Sequence, residues 1–241
     1  MQAADRTSRV GGRRIGLIIP SVNTTIEPEF GWLAPPGLSF HAARIMLQDT
    51  TPEGLRAMNA EVAGAARLIE SINPAVVAYA CTAGTFLEGP EALERQIGLI
   101  QGIVGCPVVA TSLAMIAAAR FLGARRIALA TPYLQILNEA EQRFFEANGI
   151  EVVAARGLGL SGRAIREVPP GDVMTLAQAA DVPEAEALFI SCTDFRALEV
   201  VEQLEAMLQK PVLTSNQVTL WSVLRVLGWP EPLHGLGKLL R

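Results

Sequence analysis

The chain has 241 residues, half of them hydrophobic, a formal net charge of −4, three cysteines and two histidines. That length holds one large domain or two closely packed small ones. The acidic balance leaves no electrostatic footprint for nucleic acid or an anionic membrane, and His41, His234, Cys81, Cys106 and Cys192 are too scattered for a structural zinc or iron–sulfur site.

Residues 1–14 carry four arginines, but the apolar stretch Ile15–Ile19 is too short for a signal-peptide core and runs into Pro20. It reads instead as a buried strand. Further short apolar runs of strand length follow at Val76–Ala80, Val108–Ala110, Ile127–Ala130, Leu188–Ser191 and Val212–Leu213. Between them lie segments with helical spacing: Pro52–Ser71, Glu91–Val104, Leu113–Leu122, Gln135–Asn148 and Ala197–Leu208. Gly123 and Gly149 stand where helix C-caps belong, and Asn73-Pro74 and Cys106-Pro107 mark helix-to-strand turns. The run Ile103–Ala119 is broken by Pro107, Thr111 and Ser112, short of the ~20 apolar residues of a membrane span. Residues 157–174 read as one long irregular stretch, a mobile loop expected to close over a bound ligand. An odd cysteine count without a CxxC pair does not fit a secreted disulfide framework. The expectation is a cytoplasmic protein, with room for a homo-oligomer.

The chain repeats itself. RRIGLIIP (13–20) returns as RRIALATP (125–132), VVAYACT (76–82) loosely as LFISCTD (188–194), and PVVATS (107–112) as PVLTSN (211–216). Three landmarks in one order predict two homologous halves, 1–112 and 113–216, with 217–241 completing the first. Alternating strands and helices in each half predict an α/β fold of two pseudo-symmetric, doubly wound parallel-sheet halves with the site in the cleft between them. In such sheets ligands sit beyond the carboxyl ends of the strands. The segments there are Pro20–Thr25, Cys81–Thr85, Pro132-Tyr133 and Cys192–Asp194.

A pseudo-two-fold axis would bring Cys81 and Cys192 face to face. Paired thiols could move a proton from one face of a carbon to the other, or one could add to an activated double bond while the other moves a proton. Neither route needs a cofactor, and none is expected. A lone buried cysteine is usually a small hydrophobe, which is the reading for Cys106; the repeat favours catalysis for the other two. Asn23 is a turn former, an N-cap or a substrate ligand on local evidence. Backbone N–H groups at Thr82, Ala83 and Gly84 could cradle a carboxylate, and the Tyr133 hydroxyl could bind one or fill a core gap. His41 and His234 fit no triad and read as structural or exposed. GLGLSG (157–162) lacks the GK[ST] of a phosphate loop.

The motifs IGLIIPSVNTTIEPE, YACTAG, ATPY, SCT and SNQVTLW resemble the aspartate/glutamate racemase superfamily, in particular its maleate cis-trans isomerase and arylmalonate decarboxylase branch, from about Arg13 to Leu227. The resemblance implies Cys81 as the nucleophile and Cys192 as the residue handling the proton opposite. It implies Ser21, Asn23, Thr82, Ala83, Tyr133, Thr193 and Asp194 as binding positions for a small carboxylate. Decarboxylases of this branch typically keep only the second cysteine, so two thiols favour an isomerase or racemase. Two departures stand out: Arg163 occupies a loop position where maleate isomerases commonly carry asparagine, and Asp194 would repel a dicarboxylate if it points inward. The alternatives are an amino-acid or hydantoin-type racemase, a substituted-malonate decarboxylase, or a non-catalytic small-acid binder.

Overall fold

The computed structural model describes residues 12–229 and 237–240. The readings of His234 and of the first eleven residues therefore lie outside the described residues.

The first half runs β1 (Arg13–Pro20), α1 (Ile26–Leu33), β2 (Leu38–Ile45), α2 (Pro52–Ala60), α3 (Val62–Glu70), β3 (Val76–Tyr79), α4 (Thr82–Phe86), α5 (Pro90–Val104), β4 (Val108–Ala110) and α6 (Thr111–Phe121). The second runs β5 (Arg126–Tyr133), α7 (Gln135–Ala147), β6 (Glu151–Leu160), a 3₁₀ turn at Gly162–Ile165, α8 (Pro170–Ala180), β7 (Ala187–Ile190), a second 3₁₀ turn at Leu198–Val200, α9 (Val201–Leu208), β8 (Val212–Thr214) and α10 (Ser215–Val226). The strands form two four-stranded parallel sheets, ordered β2-β1-β3-β4 and β6-β5-β7-β8. The repeat is thus a repeat of topology.

Past the arginines that open β1 and β5, each sheet buries its two middle strands: Ile15, Leu17, Val76 and Val77 in the first, Ala128, Leu129, Ala187 and Leu188 in the second. Covered on both faces, these strands read as unbroken apolar runs, and each large aliphatic side chain taken from water stabilises the fold by about 1.5–3 kcal/mol. The edge strands β2 and β6 are half-exposed along their length. Helix α10, which follows the second sheet, packs along α6 and also touches α1, β3 and β4 of the first.

Several expectations are corrected. Residues 157–174 are not a long irregular loop: they hold the end of β6, a 3₁₀ turn and the start of α8. Gly157 and Gly159 are tolerated because β6 is an edge strand with register shifts against β5. Pro170 sits in the first turn of α8, where a missing N–H costs nothing. The segment Pro52–Ser71 is two helices meeting at Glu61. Strand β2 escaped the apolar-run criterion because Ser39, His41 and Arg44 interrupt it, and β6 because Arg156, Gly157 and Gly159 do. His41 is exposed on β2 beside the Ser39 hydroxyl, 2.9 Å away. No helix among the described residues is long and apolar enough to cross a membrane.

Candidate active site

The carboxyl ends of β1, β3, β5 and β7 open onto one cleft, with about 340 Å³ of space between its walls, part of it open to solvent. Cys81, Thr82 and Ala83 enter from the first half, Tyr133, Cys192, Thr193 and Asp194 from the second. Asn23 lines it beside Val22, while Leu47, Thr50, Gly162 and Ile165 close the far side.

Cys81 is the N-cap of α4, in extended backbone, and its Sγ accepts from the Gly84 N–H at 3.3 Å. Burial pushes this thiol up to about 12, with the Gly84 hydrogen bond pulling the other way. A Cβ at Gly84 would stand 2.7 Å from the Met58 methyl and 3.0 Å from the Tyr79 hydroxyl, so a larger residue here would displace those side-chain ends. Thr82 Oγ1 donates to Ser215 Oγ at 2.9 Å, and that same Ser215 oxygen accepts from the Cys192 backbone N–H at 2.9 Å. Ser215 therefore ties the two thiol-bearing loops together.

Cys192 differs. Its φ of +93° lies in the region that favours glycine, and no helix begins at it; a turn follows, then the 3₁₀ segment at Leu198. Cys192 Sγ accepts from the Asp194 N–H at 3.4 Å. Burial, then the Asp194 charge, push its pKa upward, while the Asp194 N–H and the Tyr133 hydroxyl act against them.

Asn23 takes the capping role among those the sequence left open. Its Oδ1 accepts from the N–H groups of Thr25 and Ile26 at 3.0 and 3.1 Å, capping α1, while Nδ2 donates to Thr193 Oγ1 at 3.0 Å. Thr193 in turn donates to the Ala80 carbonyl at 3.2 Å, so the two halves are laced together at the cleft floor. Asp194 Oδ1 accepts from Thr24 N–H at 2.8 Å and Thr25 Oγ1 at 3.0 Å, and Oδ2 is buried with no hydrogen-bond partner among the described residues. Burial raises the Asp194 pKa; Thr24, Thr25 and Arg166 hold it down.

Two expected binding residues stand elsewhere. Ser21 does not line the cleft; its hydroxyl accepts from the Leu47 N–H at 3.0 Å and fixes the loop after β2. Arg163 is exposed, because a 3₁₀ turn puts Gly162 and Ile165 inward and leaves Arg163 facing solvent. Two other arginines approach, Arg166 donating to the Val22 carbonyl and Arg44 to the Asn23 carbonyl, each at 2.7 Å. Sequence reasoning also passed over Ser191, Ser215 and Asn216, and the buried Glu29 and Glu141. The repeat could have exposed the last pair: both carboxyls lie nine residues after the proline that ends RRIGLIIP or RRIALATP.

Two parallel sheets, each delivering one thiol from a strand end to a shared cleft, define a paired-cysteine α/β enzyme. The chain belongs to the Amdase family, described as arylmalonate decarboxylase, which matches residues 15–240. A maleate isomerase of Nocardia farcinica is 35% identical over 243 residues, covering 96% of this chain and 97% of that protein. An arylmalonate decarboxylase of Bordetella bronchiseptica is 29% identical, covering 93% of this chain and 95% of that one. The solved structure of a Nocardia farcinica maleate cis-trans isomerase variant, with a cysteine replaced by serine and a covalently bound succinylcysteine intermediate, superposes with a TM-score of 0.92. It is 32% identical and covers 96% of this chain and 99% of that one.

Proposed function

We propose that this protein is a cofactor-independent cis–trans isomerase converting maleate to fumarate. The observation that carries the reading is that Cys81 and Cys192 open into one cleft from opposite halves. In the proposed reaction the Cys81 thiolate adds to one alkene carbon, forming a C–S bond, and the displaced electron pair moves onto the neighbouring carbon and its carboxylate. Cys192 gives its proton to that neighbouring carbon. The former double bond is now single and rotates. The Cys192 thiolate then takes back a proton, the double bond re-forms in the trans geometry, and the C–S bond breaks to return Cys81 as thiolate.

Binding falls to Asn23, through its second Nδ2 proton, to the Tyr133 hydroxyl and to the N–H groups of Thr82 and Ala83, which offer donors to a carboxylate; the Thr193 hydroxyl gives its one proton to the Ala80 carbonyl and holds Asn23 in place. Ser21 and Arg163 have no part in it. Both thiols are held up by burial, so the productive form, with one thiolate, grows with pH, and turnover rises on the alkaline side of neutrality. Three free cysteines suit a reducing compartment, and the reading assigns the protein to the cytoplasm.

A second reading has an observation of its own. The far wall is apolar at Val22, Leu47 and Ile165, and Asp194 opposes a second carboxylate. That setting favours proton transfer at a carbon beside a single carboxylate, as in a racemase or a decarboxylase of a substituted malonate. Incubation with maleate, aspartate and phenylmalonate in heavy water, followed by NMR, separates the cases. Fumarate supports the isomerase; α-deuterated aspartate or a decarboxylated product with no fumarate would replace it by the second reading.

A further inference from the structure

The two thiol-bearing loops offer the cleft opposite kinds of polar group. Thr82 and Ala83 open α4, where the first N–H groups of a helix have no carbonyl to reach. On the Cys192 side the donors are already committed. The Cys192 N–H goes to Ser215 Oγ at 2.9 Å, the Asp194 N–H to the Cys192 sulfur at 3.4 Å, and the Thr193 hydroxyl to the Ala80 carbonyl at 3.2 Å.

What this side adds is an acceptor. Asp194 lines the cleft and is only 6% exposed. Its Oδ1 takes the Thr24 N–H at 2.8 Å and the Thr25 hydroxyl at 3.0 Å, both from residues off the cleft wall, and Oδ2 has no hydrogen-bond partner among the described residues. Three other buried side-chain atoms of the described residues lack partners, Glu141 Oε2, Asn216 Oδ1 and Trp229 Nε1, and none of those residues lines the cleft. Arg166, the cation that acts on Asp194, spends its guanidinium on the Val22 carbonyl at 2.7 Å and on Glu167 at 3.4 Å. Two donors on Oδ1 and that nearby cation favour the ionised carboxylate. A buried carboxylate oxygen left bare is costly, and a second carboxylate brought against it adds like-charge repulsion. An N–H or O–H of the ligand relieves both.

We propose that Asp194 selects the end of the substrate that it meets: Oδ2 accepts a hydrogen bond from the ligand, so the site takes a cis-alkene acid with a carboxylate at one end and a donor-bearing acyl group, first of all a primary carboxamide, at the other. The inference rests on the isomerase reading for the alkene and on Asp194 for the amide. Maleate fits this site as its acid salt, with the second carboxyl protonated, whereas maleamate, the cis monoamide, meets Asp194 as it stands. The carboxylate lies with the N–H groups of Thr82 and Ala83, and the roles of Cys81 and Cys192 are unchanged.

The test compares maleamate with maleate, the trans products being followed by NMR. In wild type, kcat/KM for maleamate exceeds that for maleate by at least about tenfold. Asp194→Asn keeps an oxygen for Thr24 and Thr25 and offers an amide N–H in place of Oδ2, so the ratio reverses in favour of maleate. A wild-type ratio at or below one, or a ratio that Asp194→Asn leaves unchanged, overturns the proposal.

The saturated pair, succinamate and succinate, has no double bond to attack, and calorimetric affinities for it repeat the comparison without turnover. Succinamate is expected to bind wild type at least about tenfold more tightly, with the order reversed in Asp194→Asn. If neither cis acid is isomerised but this reversal is seen, the isomerase reading falls and the assignment of Asp194 stands. If both are isomerised and the saturated pair binds equally, the assignment falls and the isomerase reading stands.

Discussion

The two halves of this molecule place the same residue at the same point of the same topology, yet Cys81 and Cys192 sit in different surroundings. Cys81 caps a helix in relaxed extended backbone, and among the described residues its sulfur accepts from one N–H, that of Gly84. Cys192 is held at a positive φ and meets the Asp194 N–H, the Tyr133 hydroxyl and the Asp194 charge. A repeat fixes where side chains arrive; the local backbone and neighbours decide what each can do. A sulfur with few polar partners suits bond formation to carbon, and one ringed by donors and acidic groups suits the handling of a proton. The proposed division of labour follows that difference.

The sharpest way to break the comparison is to remove each thiol in turn. Cys81→Ala is expected to lower kcat/KM by on the order of 10³-fold or more, since the covalent route has no substitute. Activity close to wild type in that variant would leave Cys192 as the working thiol and point to the decarboxylase-like reading.

The buried carboxyls sharpen the comparison at the level of stability. Glu29 and Glu141 each stand at about 8, against an ordinary value of 4.5. The folded protein therefore holds more protons than the unfolded chain between those values, and stability falls as pH rises from about 4.5 to about 8. Glu29→Gln and Glu141→Gln should each flatten that fall by more than about 1 kcal/mol across the window. Chemical denaturation at several pH values reads it directly, and an equal slope in wild type and both variants would show that neither carboxyl stays protonated.

Backbone strain gives a smaller contrast. Glycine relieves a positive φ at Cys192 but loosens an extended residue at Cys81. Cys192→Gly should therefore cost about 1 kcal/mol less stability than Cys81→Gly. Equal losses would mean that the strained turn stores nothing. Smallest of all is Arg163→Ala, expected to leave kcat and KM unchanged because the side chain faces solvent. A marked rise in KM would return Arg163 to the binding site.

Much of this was legible in the sequence, and what escaped has physical causes. The central strands announced themselves because both faces are buried, and the repeated strand ends located both thiols and Asn23. Strands β2 and β6 did not, being half-exposed edges in which Ser39, His41 and Arg44, or Arg156 with Gly157 and Gly159, interrupt the apolar run. The glycines and prolines of 157–174 looked like a loop because Gly159 serves an edge irregularity and Pro170 a helix start, and these residue types mark loops equally well. Arg163 was placed by loop position, but a 3₁₀ turn decides which of its residues faces inward. The positive φ of Cys192 and the Ser191–Glu141 bond depend on contacts between segments remote in sequence, and one sequence read locally carries no trace of them.

The central claim is that Cys81 forms a bond to substrate carbon while Cys192 moves the proton. It is tested most directly by mixing Cys192→Ser protein with maleate and mapping covalent mass by peptide mass spectrometry. The account predicts that the peptide containing Cys81 gains the mass of one maleate, while turnover stops. An unmodified Cys81 in protein whose wild-type form makes fumarate, or an adduct on Cys106 alone, would contradict it.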